Sequence, residues 1–330
     1  MSEEIIAGRG AEPAAPTGPL PGPLPPVPPP VPPDAVLPPA PPEALPEALP
    51  EAAARSRASV LRSRAESYIA LSRHDAAIAD LTEAIALEPD SARAWRMRGE
   101  SHRLIARYEA ALSDFGEALR LEPDSAYALG SRGQAYASLG RHDEALDDFE
   151  HALTLSPESL WILEARADTL ADLDRLDEAL DEHARIIALN GKLAYSWLAR
   201  GDLYQRMHLY PEAIDDYTKA LELDTAYVRG YSRRGEAYRM IDRYEEALAD
   251  LNRAIELDPD HDRALGSRGA VLSELGDNEG ALRDLDRAIE LDPDYIWAFR
   301  VRGEILQELD RHEEAVADFT RALDLEFGDS

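Results

Sequence analysis

A period of 34 residues runs through most of this chain and limits it to a fold built from repeated units. From Ala58 onward the sequence divides into eight windows of equal length without an insertion, and only Ser330 is left over. We call these windows repeats 1 to 8 and number the places within each from 1 to 34. The repeats are residues 58–91, 92–125, 126–159, 160–193, 194–227, 228–261, 262–295 and 296–329. Such a chain is expected to stack similar units on their neighbours.

Within each repeat, the apolar residues follow helical spacing. Place 4 is large and apolar throughout, as at Trp95 and Leu129, and place 8 is always glycine or alanine. A second set begins with alanine at place 20 in all eight repeats and continues with a bulky residue at place 24. Five repeats have proline at place 32, where a helix must stop. The pattern predicts two antiparallel helices per repeat that approach closely at the small residues.

These motifs resemble those of the tetratricopeptide repeat family. The W-x2-L-G-x2-Y, A-x3-F and P signature is matched across residues 58–329, with departures at Gly191 and Thr225, where the proline is expected. The resemblance implies an all-α fold, a right-handed superhelical solenoid of eight helix-turn-helix repeats with a concave binding groove. It also implies a protein that usually has no catalytic activity.

The residues that precede the repeats have a different composition. Of the 24 prolines, 18 lie within residues 1–57, and residues 23–33 are mostly proline. Such a stretch favours polyproline II and cannot form a core. We expect residues 1–50 to be a disordered Pro-rich arm, either a spacer or a ligand of an SH3 or WW domain, because PxxP spacing occurs at Pro23 and Pro26. Residues 51–57 are expected to start the first helix.

Charge and composition argue against several function classes. The chain has 35 basic and 65 acidic residues, a net charge of −30, and no cysteine. A field of that sign repels phosphate backbones and anionic lipids, so we expect no nucleic-acid and no membrane partner. The absence of an export signal and of any run of about 18 apolar residues predicts a cytoplasmic protein. Without cysteine, disulfides and Cys-based zinc sites are excluded.

Two charged places recur in phase with the helices. Place 7 is arginine in all eight repeats, and place 23 is aspartate except for a glutamate in repeat 4. In an antiparallel hairpin both places reach the same flank at nearly the same level, which predicts one structural ion pair per repeat. The alternative is a row of ligand-binding arginines. The predicted pairs are Arg64–Asp80, Arg98–Asp114, Arg132–Asp148, Arg166–Glu182, Arg200–Asp216, Arg234–Asp250, Arg268–Asp284 and Arg302–Asp318.

In the family that the repeats resemble, places 2, 5, 9 and 12 of the first helix face the groove. Here place 2 is aromatic in three successive repeats, as Tyr127, Trp161 and Tyr195, and again at Trp297 in repeat 8. We expect these residues to form an aromatic stripe that binds a partner segment. The alternative is that they only pack between repeats. The charged residues beside them are Arg93, Arg96, Glu100 and Arg103 on one side and Arg229, Glu236, Arg239 and Arg263 on the other.

Several of these features recur at an offset of 136 residues, which is four repeats. The hexapeptide of residues 128–133 returns as residues 264–269, and Trp161 corresponds to Trp297. The offset indicates either the duplication of a block of four repeats or two similar half-sites along one groove.

Signals for catalysis or metal binding are weak. No HExxH, phosphate loop or G-x-S-x-G motif occurs. The histidines His74, His142 and His312 share place 17, where three other repeats have tyrosine, which indicates a packing role. We therefore expect no enzyme activity, no metal and no cofactor.

The predicted function is a non-catalytic protein–protein interaction scaffold whose groove binds a protein or peptide partner, which could be basic. Two alternatives remain: a regulatory or sensor module that binds a peptide or small ligand, and an accessory subunit of an enzyme complex. The repeats run to Asp329 without a polar capping helix. Two interpretations of this C-terminal edge remain open. It could mediate self-association, or it could be an apolar end that stays exposed without a function.

Overall fold

The protein is described by a computed structural model over residues 50–328, and all regular structure in this range is α-helical. Two helices form each repeat, so the predicted all-α repeat solenoid is confirmed. The helices are α1 Glu51–Ala70, α2 His74–Leu87, α3 Ala92–Leu104, α4 Tyr108–Leu121, α5 Ala126–Ser138, α6 His142–Leu155, α7 Leu160–Asp172, α8 Leu176–Leu189, α9 Ala194–Arg206, α10 Tyr210–Leu223, α11 Val228–Arg239, α12 Tyr244–Leu257, α13 Asp262–Glu274, α14 Asn278–Leu291, α15 Ile296–Glu308 and α16 His312–Phe327. The predicted Pro-rich arm lies outside the described residues, apart from Pro50.

The turn between the two helices of a repeat has the same backbone in all eight. The residue at place 15 is left-handed, with φ between 55° and 86°. The next amide then bonds back to the carbonyl at place 11, as Arg141 does to Tyr136 at 2.9 Å, which closes the end of the first helix. Glycine supplies this conformation only at Gly140 and Gly276. At the other six turns, the packing of the helix pair holds a residue with a side chain in this strained region.

The second helices α2 to α14 all end at place 30, whether or not a proline follows. The amide at place 31 still bonds to the carbonyl four residues earlier, at 2.9 Å both for Glu88 and for Asn190. Glu88 precedes a proline, whereas Asn190 precedes Gly191. The departures of repeats 4 and 5 from the proline pattern therefore leave the end of the second helix unchanged.

Each helix pair is packed where a bulky side chain at place 24 lies against the small residue at place 8. A Cβ added to Gly133 would lie 2.7 Å from the Phe149 ring, and one added to Gly201 would lie 2.6 Å from the Tyr217 ring. The alanine at place 20 is completely buried in seven of the repeats. The two helices thus approach more closely than larger side chains would permit.

The stack of repeats is curved, with the first helices on its inner side. Contacts join α1 with α3, α3 with α5, α5 with α7, α9 with α11, α11 with α13 and α13 with α15. Within the described residues, successive second helices are farther apart and do not make such contacts. Helices on the inner side of a curved stack lie closer together, so the first helices line the concave face.

Repeat 4 departs from the others inside its core. His183 occupies place 24, where the neighbouring repeats have Phe149 and Tyr217, and it is 5% exposed. Its Nδ1 has no hydrogen-bond partner. Burial lowers the pKa of His183 to about 4, with Arg200 lowering it further and Asp202 raising it. The imidazole is therefore neutral at neutral pH.

Gly133→Ala should lower the free energy of unfolding by about 1–3 kcal/mol, because the new methyl group overlaps the Phe149 ring. The matched control is Gly116→Ala on α4, where an added Cβ meets nothing within 4 Å. This control should instead stabilise by about 0.5–1 kcal/mol through helix propensity. Chemical denaturation measures both variants. Equal effects of the two changes would contradict the close approach at place 8.

Acid should destabilise the protein through His183. His183 binds a proton at its ordinary pKa of about 6.5 in the unfolded chain, but only near pH 4 in the folded chain. The unfolded state therefore gains protons first as the pH falls. The stability of the folded state is unaffected by this group above about pH 6.5 and decreases as the pH falls toward 4. The loss should reach about 2 kcal/mol at pH 5. His183→Phe should remove this part of the pH dependence, whereas His151→Phe at an exposed position of α6 should not. Denaturation curves between pH 8 and pH 5 would contradict the prediction if the wild type and His183→Phe had parallel profiles.

Candidate functional site

The arginine at place 7 binds the carboxylate at place 23 in every repeat. In seven repeats Nε and Nη2 each donate to one carboxylate oxygen, with distances of 2.8 and 2.7 Å between Arg98 and Asp114. The other pairs of this form are Arg64–Asp80, Arg132–Asp148, Arg200–Asp216, Arg234–Asp250, Arg268–Asp284 and Arg302–Asp318. The carboxylates are buried, so each needs its cation. The pairs fix the two helices of a repeat in one register.

Repeat 4 again differs, because its carboxylate belongs to a glutamate. Arg166 donates to Glu182 through Nη1 alone, and its buried Nε has no partner. Glu182 also accepts from Arg185 at 3.1 Å. The longer glutamate side chain does not meet the guanidinium edge that carries Nε and Nη2. Repeat 4 is therefore braced less completely than its neighbours.

The same arginines also connect successive repeats, a link that no pattern considered within one repeat indicates. Nη1 of Arg98 donates to Thr82 at 3.1 Å, and Nη1 of Arg234 donates to Thr218 at 3.0 Å. Asn252 and Asp286 accept in the same way from Arg268 and Arg302. All four acceptors occupy place 25 of the preceding repeat. Glycine and alanine stand there before repeats 3 and 5, at Gly116 and Ala184, and cannot accept.

The concave face contains two cavities formed by first-helix residues and adjoining linkers. The first cavity, of about 540 Å³, is lined by Glu66, Ile69, Arg93, Arg96, Met97, Glu100 and Tyr127. The second cavity, of about 610 Å³, is lined by Arg229, Ser232, Arg233, Glu236, His261, Arg263, Tyr295 and Trp297. The structure thus collects most of the charged residues expected in the groove into two places.

The charged side chains of the two cavities are held by equivalent contacts. Arg93 donates to Glu66 in the first, and Arg229 donates to Asp202 at 2.7 Å in the second. The corresponding contacts within one helix are Arg103–Glu100 at 2.6 and 3.0 Å and Arg239–Glu236 at 2.7 and 3.0 Å. The sequence offset of four repeats is therefore also an equivalence of geometry.

The expected aromatic stripe is only partly continuous. The rings of Tyr127 and Trp161 are in contact, with centroids 5.8 Å apart. Trp161 also packs on the preceding repeat, where a Cβ added to Gly130 would overlap its ring. Tyr195 is 42% exposed and donates its hydroxyl to Glu164, and no ring contact joins it to Trp161 within residues 50–328. Trp161 thus combines packing between repeats with a partly accessible ring.

Trp297 has the same setting as Trp161 but belongs to the second cavity. It lies over Gly266, and its ring centroid is 5.7 Å from that of Tyr295. Arg263 stacks on Tyr295 at 4.4 Å, and Arg96 stacks on Tyr127 at 5.4 Å in the first cavity. In each cavity an arginine therefore lies against an aromatic wall.

Acidic residues occupy the concave face between the two cavities. Repeat 4 contributes Glu164, Asp168 and Asp172, and within the described part of the chain Asp168 forms no ion pair. The surrounding helices displace water from the Asp168 carboxylate, which raises its pKa, and the negative charges of Asp172 and Glu164 raise it further. The concave face thus alternates in charge along the stack: arginine-rich, acidic and arginine-rich again.

Two further residues support the second cavity, Tyr217 at the bulky core place 24 and Asp202 at place 9, and the repeat pattern does not show that they are bonded to each other. The Tyr217 hydroxyl donates to Asp202, its neighbour across the helix pair, at 2.9 Å. Burial raises the Tyr217 pKa, as does the charge of Asp202. Asp202 also binds Arg229 and, at 3.3 Å, Arg233. One carboxylate therefore orients two guanidinium groups at the cavity wall.

Within residues 50–328, no three histidine or carboxylate side chains are grouped as metal ligands would be. None of the described helices combines the length and the apolar character that crossing a membrane requires.

Sequence models of one family match most of the repeats. Those described as "Tetratricopeptide repeat" match residues 62–112, 126–159, 194–225, 228–261 and 301–329, and one described as "TPR repeat" matches residues 269–310. Together these segments cover more than half of the chain. Repeat 4, the repeat with the incomplete ion pair and the buried histidine, lies outside them. No curated protein sequence matches the chain.

Solved structures to which the chain is similar include other repeat proteins. A tetratricopeptide repeat protein from Parabacteroides merdae is 22% identical, with a TM-score of 0.62 over 72% of this chain and 94% of that one. The C-terminal part of a TPR repeat-containing protein from Cytophaga hutchinsonii is 16% identical, with a TM-score of 0.61 over 72% and 98%. The MamA protein is 26% identical, with a TM-score of 0.42 over 48% and 94%. The first two show a shared fold.

Arg200→Ala should lower the melting temperature and reduce the free energy of unfolding by about 3 kcal/mol or more, because Asp216 would remain buried without a cation. The matched control is Arg64→Ala. The Arg64 side chain is 57% exposed and no repeat covers it on its outer side, so water can reach Asp80 after truncation and the loss should be clearly smaller than in Arg200→Ala. Thermal and chemical denaturation at pH 8 compare the two. An unchanged melting temperature in Arg200→Ala would remove the bracing role.

Proposed function

Because the chain belongs to the tetratricopeptide repeat family, we propose that it is a non-catalytic interaction scaffold that binds a segment of a partner protein along its concave face. The observation that carries the proposal is the set of accessible aromatic and arginine side chains on that face. Tyr127 is 45% exposed and Tyr195 is 42% exposed although both occupy inner-face helices. Residues of these types dominate the energy of protein interfaces.

The order of charges along the concave face supports a partner segment with a basic side chain at its centre. Asp168 and its acidic neighbours have no arginine among the inner places of repeat 4. A basic group from the partner would lower the raised pKa of Asp168 and relieve the repulsion from Glu164 and Asp172. The partly accessible Trp161 ring can also accept a cation on its face.

The concave face is preorganised by contacts within the protein. The Tyr195 hydroxyl is bound to Glu164, and Arg103 and Arg239 are fixed by two hydrogen bonds each to a glutamate on their own helix. Side chains that are already ordered lose little further entropy when a partner binds. This arrangement favours the recognition of one extended or helical segment.

We propose that the two cavities act as similar half-sites along this face. Both are lined by an arginine at place 2 and a glutamate at place 9, and in both the glutamate accepts from the arginine at place 12 of its own helix. Their walls differ, since the first includes Ile69 and Met97 where the second has Gln205 and Arg233. The half-sites would therefore hold side chains of related shape but different polarity.

A sensor of small ligands is the second candidate function, because the first cavity has the volume of a ligand pocket and an apolar floor. Thermal shift assays separate the two candidates. A sensor should be stabilised by a metabolite alone, whereas a scaffold should be stabilised only by its partner protein.

Replacing both Trp161 and Tyr195 by alanine should abolish capture of the partner. Two aromatic anchors contribute about 2 kcal/mol each or more at such interfaces, which is well over a hundredfold in affinity together. Affinity purification followed by mass spectrometry compares the double variant with the wild type, and circular dichroism verifies that it folds.

The matched control changes Leu189 and Leu223 to alanine. These residues are 42% and 44% exposed in the same two repeats but lie at the ends of second helices. The control should retain every partner of the wild type. Retention of every partner by the Trp161 and Tyr195 variant would instead rule out the concave stripe as the binding surface.

A further inference from the structure

The outward side of α1 exposes residues whose counterparts are buried in the other repeats. Val60, at place 3, is 65% exposed, whereas Ala94 and Ala128 at the same place are at most 1% exposed. The Arg64 side chain is 57% exposed, compared with 17–25% for the other arginines of place 7. In repeats 2 to 8 the preceding repeat covers these places. We call this surface of α1 the head face.

The outward side of α16 shows the complementary exposure. Leu323, at place 28, is 56% exposed, whereas Leu119 and Leu153 at the same place are each 8% exposed. Val316, at place 21, is 63% exposed, and Ile214 at that place is 7% exposed. Inside the chain the following repeat covers these places. We call this surface of α16 the tail face.

Each internal junction between repeats joins one tail-type surface to one head-type surface. A Cβ added to Gly230, at place 3, would lie 3.0 Å from Leu221, at place 28 of the preceding repeat. The junction of repeats 3 and 4 shows that a β-branched residue also fits, because Ile162 and Leu153 belong to one buried cluster. Val60 and Leu323 therefore have the sizes that an internal junction accommodates.

The polar groups of the two faces are complementary in the same way. Thr82 donates its hydroxyl to the Ile78 carbonyl at 2.7 Å and accepts from Arg98 of the next repeat. Thr320, at the same place of repeat 8, donates to the Val316 carbonyl at 2.7 Å, which leaves its lone pair on the tail face. Arg64 uses Nε and Nη2 for Asp80, so Nη1 is available on the head face.

The two helices also differ in charge. α1 has four arginines and two glutamates, whereas α16 has five carboxylates and one arginine. Like charges brought into one contact disfavour it. Within the described residues, the α16 carboxylates Glu313, Asp324 and Glu326 form no ion pair, so a contact between two α16 helices is disfavoured and the contact of unlike faces is favoured. The four arginines of α1 are already paired with carboxylates of their own chain.

We propose that the tail face of one molecule docks on the head face of a second copy of this chain, with the packing of the internal junctions. Leu323 then covers Val60, and Thr320 accepts from Nη1 of Arg64. Such a contact joins unlike surfaces, so it does not close at two molecules and continues into longer chains.

The test uses the full chain and one charged substitution on each face. Val60→Glu blocks only the head face, and Leu323→Glu blocks only the tail face. By light scattering, the wild type should increase in mass with concentration. Each variant alone should remain a monomer, because the face that is left has no partner of its own kind. An equimolar mixture of the two variants should form a dimer of twice the monomer mass and nothing larger.

Both positions are exposed, so the variants should keep the circular dichroism spectrum and melting temperature of the wild type. Ser67 also belongs to the head face, because it is exposed whereas Ser101 and Ala135 at the same place 10 are completely buried. Ser67→Glu on the head face and Val316→Glu on the tail face are second variants that should give the same pattern. A wild type that stays monomeric over the whole concentration range overturns the proposal. So does a single variant that keeps the wild-type assembly, and so does a mixture that stays monomeric.

Discussion

The close approach of two helices at a small residue is the constraint on which the rest of the structure depends. Where Gly133 meets the Phe149 ring, no space remains for even a methyl group. This spacing brings place 7 of the first helix beside place 23 of the second, so that an arginine fork can reach a buried carboxylate. It also leaves the first helices on the concave face, where residues of places 2 and 9 line both cavities. Core packing, electrostatic bracing and the proposed binding surface thus depend on one contact.

The buried carboxylates convert this packing into a specific register. A carboxylate in the core is tolerated only with its cation, so a helix pair that slipped along its axis would leave both groups unpaired. The arginines extend the constraint to the next repeat wherever place 25 offers an acceptor, as Thr82 does. Repeat 4 satisfies these rules least, through Glu182 and His183, yet it holds Trp161 and Asp168 at the centre of the concave face. Local departures from a repeat pattern are expected where a surface is adapted to a task.

Most of the fold could be predicted from the period of the sequence, because each helix pair is specified by residues within 34 positions of one another. The same holds for the facing of place 7 and place 23. Contacts between repeats could not be predicted in the same way, because they depend on the rotation of one repeat against the next. Three contacts depend on positions in space that the spacing of residues in the sequence does not specify. They are the hydrogen bond from Arg98 to Thr82, the packing of Trp161 on Gly130 and the hydrogen bond that the Tyr217 hydroxyl donates to Asp202. For the same reason, the sequence did not predict that the charged residues of the groove are divided between two cavities.

The curvature of the stack connects the concave face with the proposed contact between molecules. Within the described residues, contacts between successive first helices, such as α11 and α13, place these helices on the inner side of the stack. A junction that reproduces the internal packing would set α1 of the next molecule on the same inner side as α15. The concave face would then continue from one molecule into the next, and its two cavities would recur with each added copy. A partner with several similar segments would gain avidity from such an array without any new contact, because its second segment binds at the effective concentration set by its own linker.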